Sequence, residues 1–175
     1  MLNYERGSEW RRWDLHIHTP GTLKNDQYEG KTIEEKWDNF YDTIAQYIGD
    51  GTDPLRTIEV IGITDYLSID NYNKVMKDSR LPDEIKLVLP NVELRMVPFA
   101  KTAPINIHCI FDPIYSDSLE SRFFGKLKFS FGGSAYSAVH DELIRLGRDY
   151  TNDKTLSEDH AYIVGVTQFL LEFST

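Results

Sequence analysis

The sequence predicts an α/β fold with parallel strands, because segments of strand length alternate along the chain with segments of helical periodicity. The expected strands are residues 13–18, 57–64, 85–89 and 105–111, and the expected helices between them are residues 32–48 and 68–77. With 175 residues, the chain is long enough to form a single domain with a buried core.

The first helix has the clearest signals. Residues 32–35, Thr-Ile-Glu-Glu, form a capping box, in which Thr32 caps the helix and Glu35 reaches back to its start. Apolar and aromatic side chains then recur at helical spacing and are expected in the core. They are Trp37, Phe40, Tyr41, Ile44, Tyr47 and Ile48. The strand at residues 57–64 is rich in β-branched residues, as expected for a buried parallel strand.

Composition narrows the functions that the chain can serve. Hydrophobic residues make up 41% of the chain and charged residues 27%, which is typical of a soluble globular protein. No apolar segment approaches bilayer length, and the N-terminal segment lacks the apolar stretch of a secretory signal, so a cytoplasmic location and no membrane partner are expected. The net charge of −9 disfavours general binding of polyanions, although a metal site can still attract phosphate locally.

The most informative motif is Asp-Leu-His-Ile-His-Thr at residues 14–19. His16 and His18 lie two residues apart in a predicted strand, so both imidazoles point to the same face and can bind one metal ion. By itself the motif fits equally well with two hydrogen-bonded histidines on an ordinary strand. Three further candidate ligands lie at later predicted strands, namely Asp65, Glu93 and His108.

Taken in order, these segments resemble the PHP (polymerase and histidinol phosphatase) domain. TDYLSID, PNVELR and INIHCIFD are most similar to the PHP domain at the front of TrlF-like proteins, where it precedes an ABC/AAA-type ATPase. The resemblance is clear over about residues 10–115 and faint over residues 116–175. It implies a distorted (β/α)7 barrel, in which functional sites lie at the carboxyl ends of the strands.

The resemblance also implies a site for two divalent ions. His16, His18 and Glu93 would bind one ion, and Glu93 would bridge to a second ion that His108 also binds. Asp65 would be a further ligand or would orient one. Mixed nitrogen and oxygen ligands suit Zn²⁺, Mn²⁺ or Fe²⁺. Without the resemblance, each residue has an ordinary alternative: a helix cap for Asp65, a surface ion pair with Arg95 for Glu93, and a core histidine for His108.

Two positions depart from the family pattern. Many PHP domains have a histidine directly after the Thr-Asp pair and another beyond the first two, where this chain has Tyr66 and Lys24. Neither is a normal metal ligand, so these residues support two ions rather than three, and both are candidates for contacting a phosphate oxygen. The family's late Asp-x-His motif does not follow Pro113. His140 and His160 match no motif and are expected outside the site.

The leading functional hypothesis is a metal-dependent phosphoesterase, nuclease-like, that hydrolyses a phosphate ester with a metal-activated water. Its expected partners are a phosphate-ester substrate such as a nucleic acid, an ATPase domain or subunit, and a second copy of the chain. Defence against phage is the setting that this architecture suggests. Two alternatives stay open: a non-catalytic regulatory or docking module, and a phosphomonoesterase of the histidinol-phosphatase type.

The end of the chain predicts an incomplete barrel. A (β/α)7 barrel needs about three strands beyond the four predicted here. The last 62 residues (175 − 113) offer at most one or two strand candidates and two helical patterns, at residues 134–146 and 157–173. We therefore expect an open or partial barrel, either the front part of a longer protein or a short chain with half a site. Its exposed sheet edge would be covered by a partner, a second copy or further sequence.

Overall fold

The computed structural model describes residues 11–23, 27–53, 56–97 and 105–171. Its longer elements are β1 (Arg12–Ile17), α1 (Ile33–Tyr47), β2 (Ile58–Tyr66), α2 (Asp70–Asp78), β3 (Leu87–Met96) and β4 (Ile105–Ile110). After a 3-10 turn (Pro113–Ser118) come α3 (Leu119–Arg122), a second 3-10 turn (Phe124–Lys126), β5 (Lys128–Phe131), β6 (Ser134–Ser137), α4 (His140–Thr151) and α5 (Glu158–Gln168).

The first four strands form one curled sheet, a half-barrel, in the order β1-β2-β3-β4. β1 and β2 are parallel. β2 and β3 also run in the same direction, because the Lys86 N–H donates to the Glu59 carbonyl and, farther along both strands, the Leu67 N–H donates to the Glu93 carbonyl. The predicted α/β fold is thus confirmed as a mixed α/β fold in which β1, β2 and β3 run parallel, and the described residues show no full barrel.

The chain divides into two compact units. The first contains the residues up to Thr64 and, in addition, Asp70–Asn91. Its helix α1 begins as predicted, since the Thr32 hydroxyl accepts the Glu35 N–H at 3.2 Å. The Glu35 carboxylate bonds the N–H of Lys31 at 2.6 Å rather than that of Thr32, one residue earlier than the capping box predicts. The expected core position of Tyr47 is wrong: the residue is 56% exposed, and its hydroxyl donates to Asp14 at 3.0 Å.

A buried amide ties the strands of this unit together. The side chain of Asn91 is 1% exposed, and its Nδ2 donates to the Leu15 carbonyl at 2.6 Å and to the Thr64 hydroxyl at 2.9 Å. Asn91 lies on β3, Leu15 on β1 and Thr64 on β2. One polar side chain therefore bonds to residues of two other strands, at a place where each unmade bond would leave a buried polar group without a partner.

The second unit contains Asp65–Ile69 and the residues from Val92 onward. Its helices α4 and α5 pack closely through two glycines: a Cβ added to Gly147 would lie 1.9 Å from the Ala161 carbonyl oxygen, and one added to Gly165 would lie equally close to that of Leu143. The prediction of a helix over residues 157–173 is confirmed in its first part, where the Ser157 hydroxyl caps α5 by accepting the His160 N–H.

Two predicted elements need correction. Residues 134–137, assigned to a helix, form strand β6, which pairs antiparallel with β5. Gly132 and Gly133 join the two strands with φ values of 57° and 82°, the backbone of a two-residue hairpin turn that glycine favours. β3 also extends to Met96 instead of ending at residue 89, so Glu93 lies inside a strand and not just beyond its end.

Within the parts of the chain that the structure describes, no helix combines the length and the apolar character needed to cross a bilayer.

Replacing Asn91 with alanine should lower the free energy of unfolding by about 2–3 kcal/mol, because it leaves the Leu15 carbonyl and the Thr64 hydroxyl without this donor. Urea unfolding followed by circular dichroism measures the change. Asn73→Ala is the matched control, since Asn73 is exposed on α2 and its loss should change stability by less than about 0.5 kcal/mol. Equal stability of the two variants would show that the Asn91 amide does not tie the strands.

Candidate metal centre

The two histidines of the first motif converge. His16 lies on β1 and is exposed, and His18 follows the end of the strand and is half-buried. Their Nε2 atoms are 3.0 Å apart, and their rings meet edge to face with centroids separated by 4.8 Å. Two nitrogen ligands of one tetrahedral ion lie about 3.3 Å apart, so this pair has nearly the spacing that a shared ion requires.

Side chains of the first unit hold this segment in place. The His16 N–H donates to the Asp14 carboxylate at 3.1 Å. The His18 carbonyl accepts the Tyr28 hydroxyl at 3.0 Å, and the His18 Nδ1 lies 3.4 Å from the hydroxyl oxygen of Thr22. A histidine whose Nδ1 meets a polar partner presents its Nε2 in a defined direction, which is how metal-binding histidines are commonly oriented.

Glu93 is an acidic side chain in the interior of β3 and is only 2% exposed. Its Oε1 accepts the Asn106 side-chain amide at 2.6 Å. Burial of a carboxylate is costly unless other groups stabilise its charge, so a buried glutamate within a polar cluster is a candidate metal ligand. Arg95 is not its surface ion-pair partner, because the Arg95 guanidinium donates to the carbonyls of Val166 and Thr167 at the end of α5.

Tyr66 and Asp65 end strand β2. Burial, together with the charge and hydrogen bond of Glu93, raises the pKa of the Tyr66 phenol, a group that is in any case a neutral hydrogen-bond donor at neutral pH. The Arg95 guanidinium carbon lies 5.8 Å from the centre of the Tyr66 ring. Asp65 is 3% exposed. A buried aspartate at this place suits either a ligand or a residue that orients one, so its role stays a prediction.

Three of the predicted ligands form one group. His16, Glu93 and His108 each offer one ligand atom, and these atoms all lie within 4.8 Å of one another. They come from β1, β3 and β4 of the four-stranded sheet. Among the residues that the structure describes, this is the group of metal-binding type, and it includes neither His140 nor His160.

The donor set fits a divalent transition metal. Two imidazole nitrogens and one carboxylate oxygen are the three-ligand set of many catalytic zinc sites, which keep a further coordination position open. His16 and His108 are exposed, whereas Asn106 holds the Glu93 carboxylate. His16, Glu93 and His108 are therefore the residues that would hold the ion.

The other predicted site residues are placed differently. His18 is outside the group of three, although its Nε2 meets that of His16. Lys24, predicted to contact phosphate, lies outside the described residues. His140 stacks on Tyr162 with ring centroids 4.8 Å apart, and the Nδ1 of His160 lies 3.2 Å from the Ser157 hydroxyl oxygen.

Sequence reasoning missed Asn106, which bonds the buried glutamate. A signal for it was present, because Asn106 and His108 are two residues apart on β4 and therefore share a face of the strand. The sequence also offered no reason to single out Asn91, since an asparagine between Pro90 and Val92 is typical of a turn and not of a buried strand.

A cavity of about 550 Å³ in the first unit adjoins the histidine pair and opens to solvent. Its lining comes from three segments: the end of β1 with His16 and His18, the loop with Gln27 and Tyr28, and one side of α1. The side of α1 that faces it carries Asn39, Thr43, Ile44 and Tyr47. A hydrogen bond to Asp14 and its negative charge raise the pKa of the Tyr47 phenol.

No family model, curated protein or solved structure matches this chain. The resemblance to PHP domains therefore rests on the residues of the motifs themselves.

Removing a ligand should weaken metal binding. We expect His16→Ala and Glu93→Gln each to raise the dissociation constant for Zn²⁺ or Mn²⁺ by at least about 100-fold, and Asn106→Ala by about tenfold, because Asn106 acts through Glu93. Isothermal titration calorimetry measures these constants. The matched control is His160→Ala, a histidine outside the group, which should bind as the parent protein does. Equal weakening by His160→Ala would contradict the assignment.

Proposed function

We propose that the chain is a metal-dependent phosphoesterase, nuclease-like in its chemistry, built on part of a distorted (β/α)7 barrel of PHP type. The observation that carries the proposal is the group of His16, Glu93 and His108, a mixed nitrogen and oxygen donor set in which three ligand atoms lie within 4.8 Å of one another. The motif Asp-Leu-His-Ile-His-Thr and its PHP resemblance support the same chemistry from the sequence.

A divalent ion, when bound, lowers the pKa of a water molecule and polarises a phosphoryl oxygen. The side chains of this protein supply the placement that the reaction needs. Asn106 fixes the Glu93 carboxylate, and the bonds to Thr22 and Tyr28 hold the His18 segment. The Tyr66 phenol now bonds Glu93, and with a substrate bound it would be available to donate that hydrogen bond to a phosphate oxygen instead.

Several parts of the proposal rest on the resemblance alone. These are a second ion bound by Glu93 and His108, coupling to an ATPase domain or subunit, and a role in defence against phage, whereas association with a second copy follows from the expected open edge of the sheet. The net charge of −9 argues that any nucleic-acid substrate is captured through the site itself and not through a broad basic surface.

Hydrolysis of two generic esters tests the proposal. With Mn²⁺ or Zn²⁺ present, the parent protein should hydrolyse bis-(p-nitrophenyl) phosphate, a diester, faster than p-nitrophenyl phosphate, a monoester, and excess chelator should abolish the reaction. His16→Ala and Glu93→Gln should lower kcat/KM by at least about 100-fold, because each removes a ligand of the ion. His140→Ala, on the surface of α4, is the control and should keep full activity.

The alternatives predict different results. Metal binding without hydrolysis of either ester would favour a non-catalytic module. Preference for the monoester would favour a phosphomonoesterase. Activity that survives both ligand substitutions would contradict a role for this group altogether, and circular dichroism of each variant separates lost chemistry from lost folding.

A further inference from the structure

The cavity beside the histidine pair has a lining that the metal chemistry does not explain. Its polar residues from Gln27 to Tyr47 are amides, hydroxyls and phenols, and its described lining contains no lysine, arginine, aspartate or glutamate. Charged phosphate groups prefer basic side chains or backbone N–H groups. The described lining therefore suits an uncharged group, with His16 and His18 at one edge of the cavity.

We propose that this cavity is a nucleobase subsite, which binds the base of a nucleotide whose phosphate lies at the histidines. This inference rests on the proposed phosphoesterase function and names its substrate class. A nucleobase subsite requires an aromatic surface for stacking, amide groups for hydrogen bonding and a volume that admits a nucleoside. Each of these is present in the first unit.

Two tyrosines supply the aromatic surface. The Tyr47 ring is 56% exposed and lines the cavity, and its hydroxyl bond to Asp14 holds it there. The Tyr28 ring meets Phe40 edge to face at 5.3 Å, and its hydroxyl bond to the His18 carbonyl fixes its tilt. Rings anchored at both ends lose little freedom on binding, so they form good stacking surfaces for a planar base.

Two amides supply the hydrogen bonds. Asn39 lines the cavity from α1, and its Oδ1 accepts the Glu29 N–H at 3.3 Å, which orients the group. Gln27 is exposed on the facing loop. Asparagine and glutamine amides carry a donor and an acceptor side by side, the pattern that matches the hydrogen-bonding edge of a base.

The size of the cavity agrees with this occupant. A volume of about 550 Å³ lies in the range of small-molecule sites and suits one nucleoside rather than a folded segment of polymer. A phosphate ester with a positively charged amino group would fit this cavity less well, because no carboxylate lines the described cavity to pair with the ammonium charge.

Binding of adenosine to the metal-free protein tests the subsite separately from catalysis. With chelator present, we expect adenosine to bind with a dissociation constant on the order of 0.1–1 mM, measured by changes in amide NMR signals of α1 and the residue 27–30 loop. Methyl glucoside and inorganic phosphate, titrated in parallel, should bind at least about tenfold more weakly, because the first cannot stack as a base does and the second finds no basic partner.

Tyr47→Ala should raise the dissociation constant for adenosine by about tenfold, whereas Tyr47→Phe, which keeps the ring and loses the bond to Asp14, should change it by less than about threefold. Tyr150→Ala is the matched control, since Tyr150 is similarly exposed but lies on α4 of the second unit. Asn39→Ala should also raise the dissociation constant for adenosine, and it replaces Tyr47→Ala as the test if that variant does not fold.

Binding of glucoside as tight as that of adenosine, or adenosine binding that Tyr47→Ala leaves unchanged, would overturn the subsite. Neither result depends on a metal ion. The adenosine titration therefore tests the subsite, and the ester hydrolysis assay separately tests the phosphoesterase proposal.

Discussion

The interaction on which the candidate site depends is the buried amide of Asn91. Its Nδ2 bonds the Leu15 carbonyl on β1 and the Thr64 hydroxyl on β2. Leu15 directly precedes His16, and Asn91 stands two residues before Glu93 on the same face of β3. Because a shift of one residue would turn every side chain of a strand to its other face, fixing the register of these strands fixes which side the ligands occupy.

Much of the fold could be predicted from local patterns. The Thr32 cap and the alternation of strand and helix gave the start of α1 and the parallel pairing of β1 with β2. The errors lie where tertiary contacts override local preference. The asparagine after Pro90 is typical of a turn, but it is buried within β3. The hairpin at Gly132 and Gly133 was not predicted, because the apolar residues that follow it have a helix-like spacing.

The three residues of the candidate group could be singled out from the sequence, whereas the residues around them could not. His16, Glu93 and His108 stand out because only a few residue types bind metal ions and these three lie on or beside predicted strands. Neutral residues that support a site cannot be recognised by residue type in this way. The role of Asn106 follows only from the structure, in which β3 and β4 are neighbours in the sheet. The exposed ring of Tyr47 was misassigned for the same reason, because helical periodicity alone does not separate a core face from the wall of a cavity.

Crystals soaked in Mn²⁺ or Zn²⁺ and measured at the absorption edge of the metal test the central claim most directly. The account predicts an anomalous-scattering peak about 2.0–2.2 Å from donor atoms of His16, Glu93 and His108. A second peak beside Glu93 would add the bridging ion of the PHP arrangement. At saturating metal, the absence of a peak at these three residues, or an ion bound by His140 or His160 instead, would contradict the assignment.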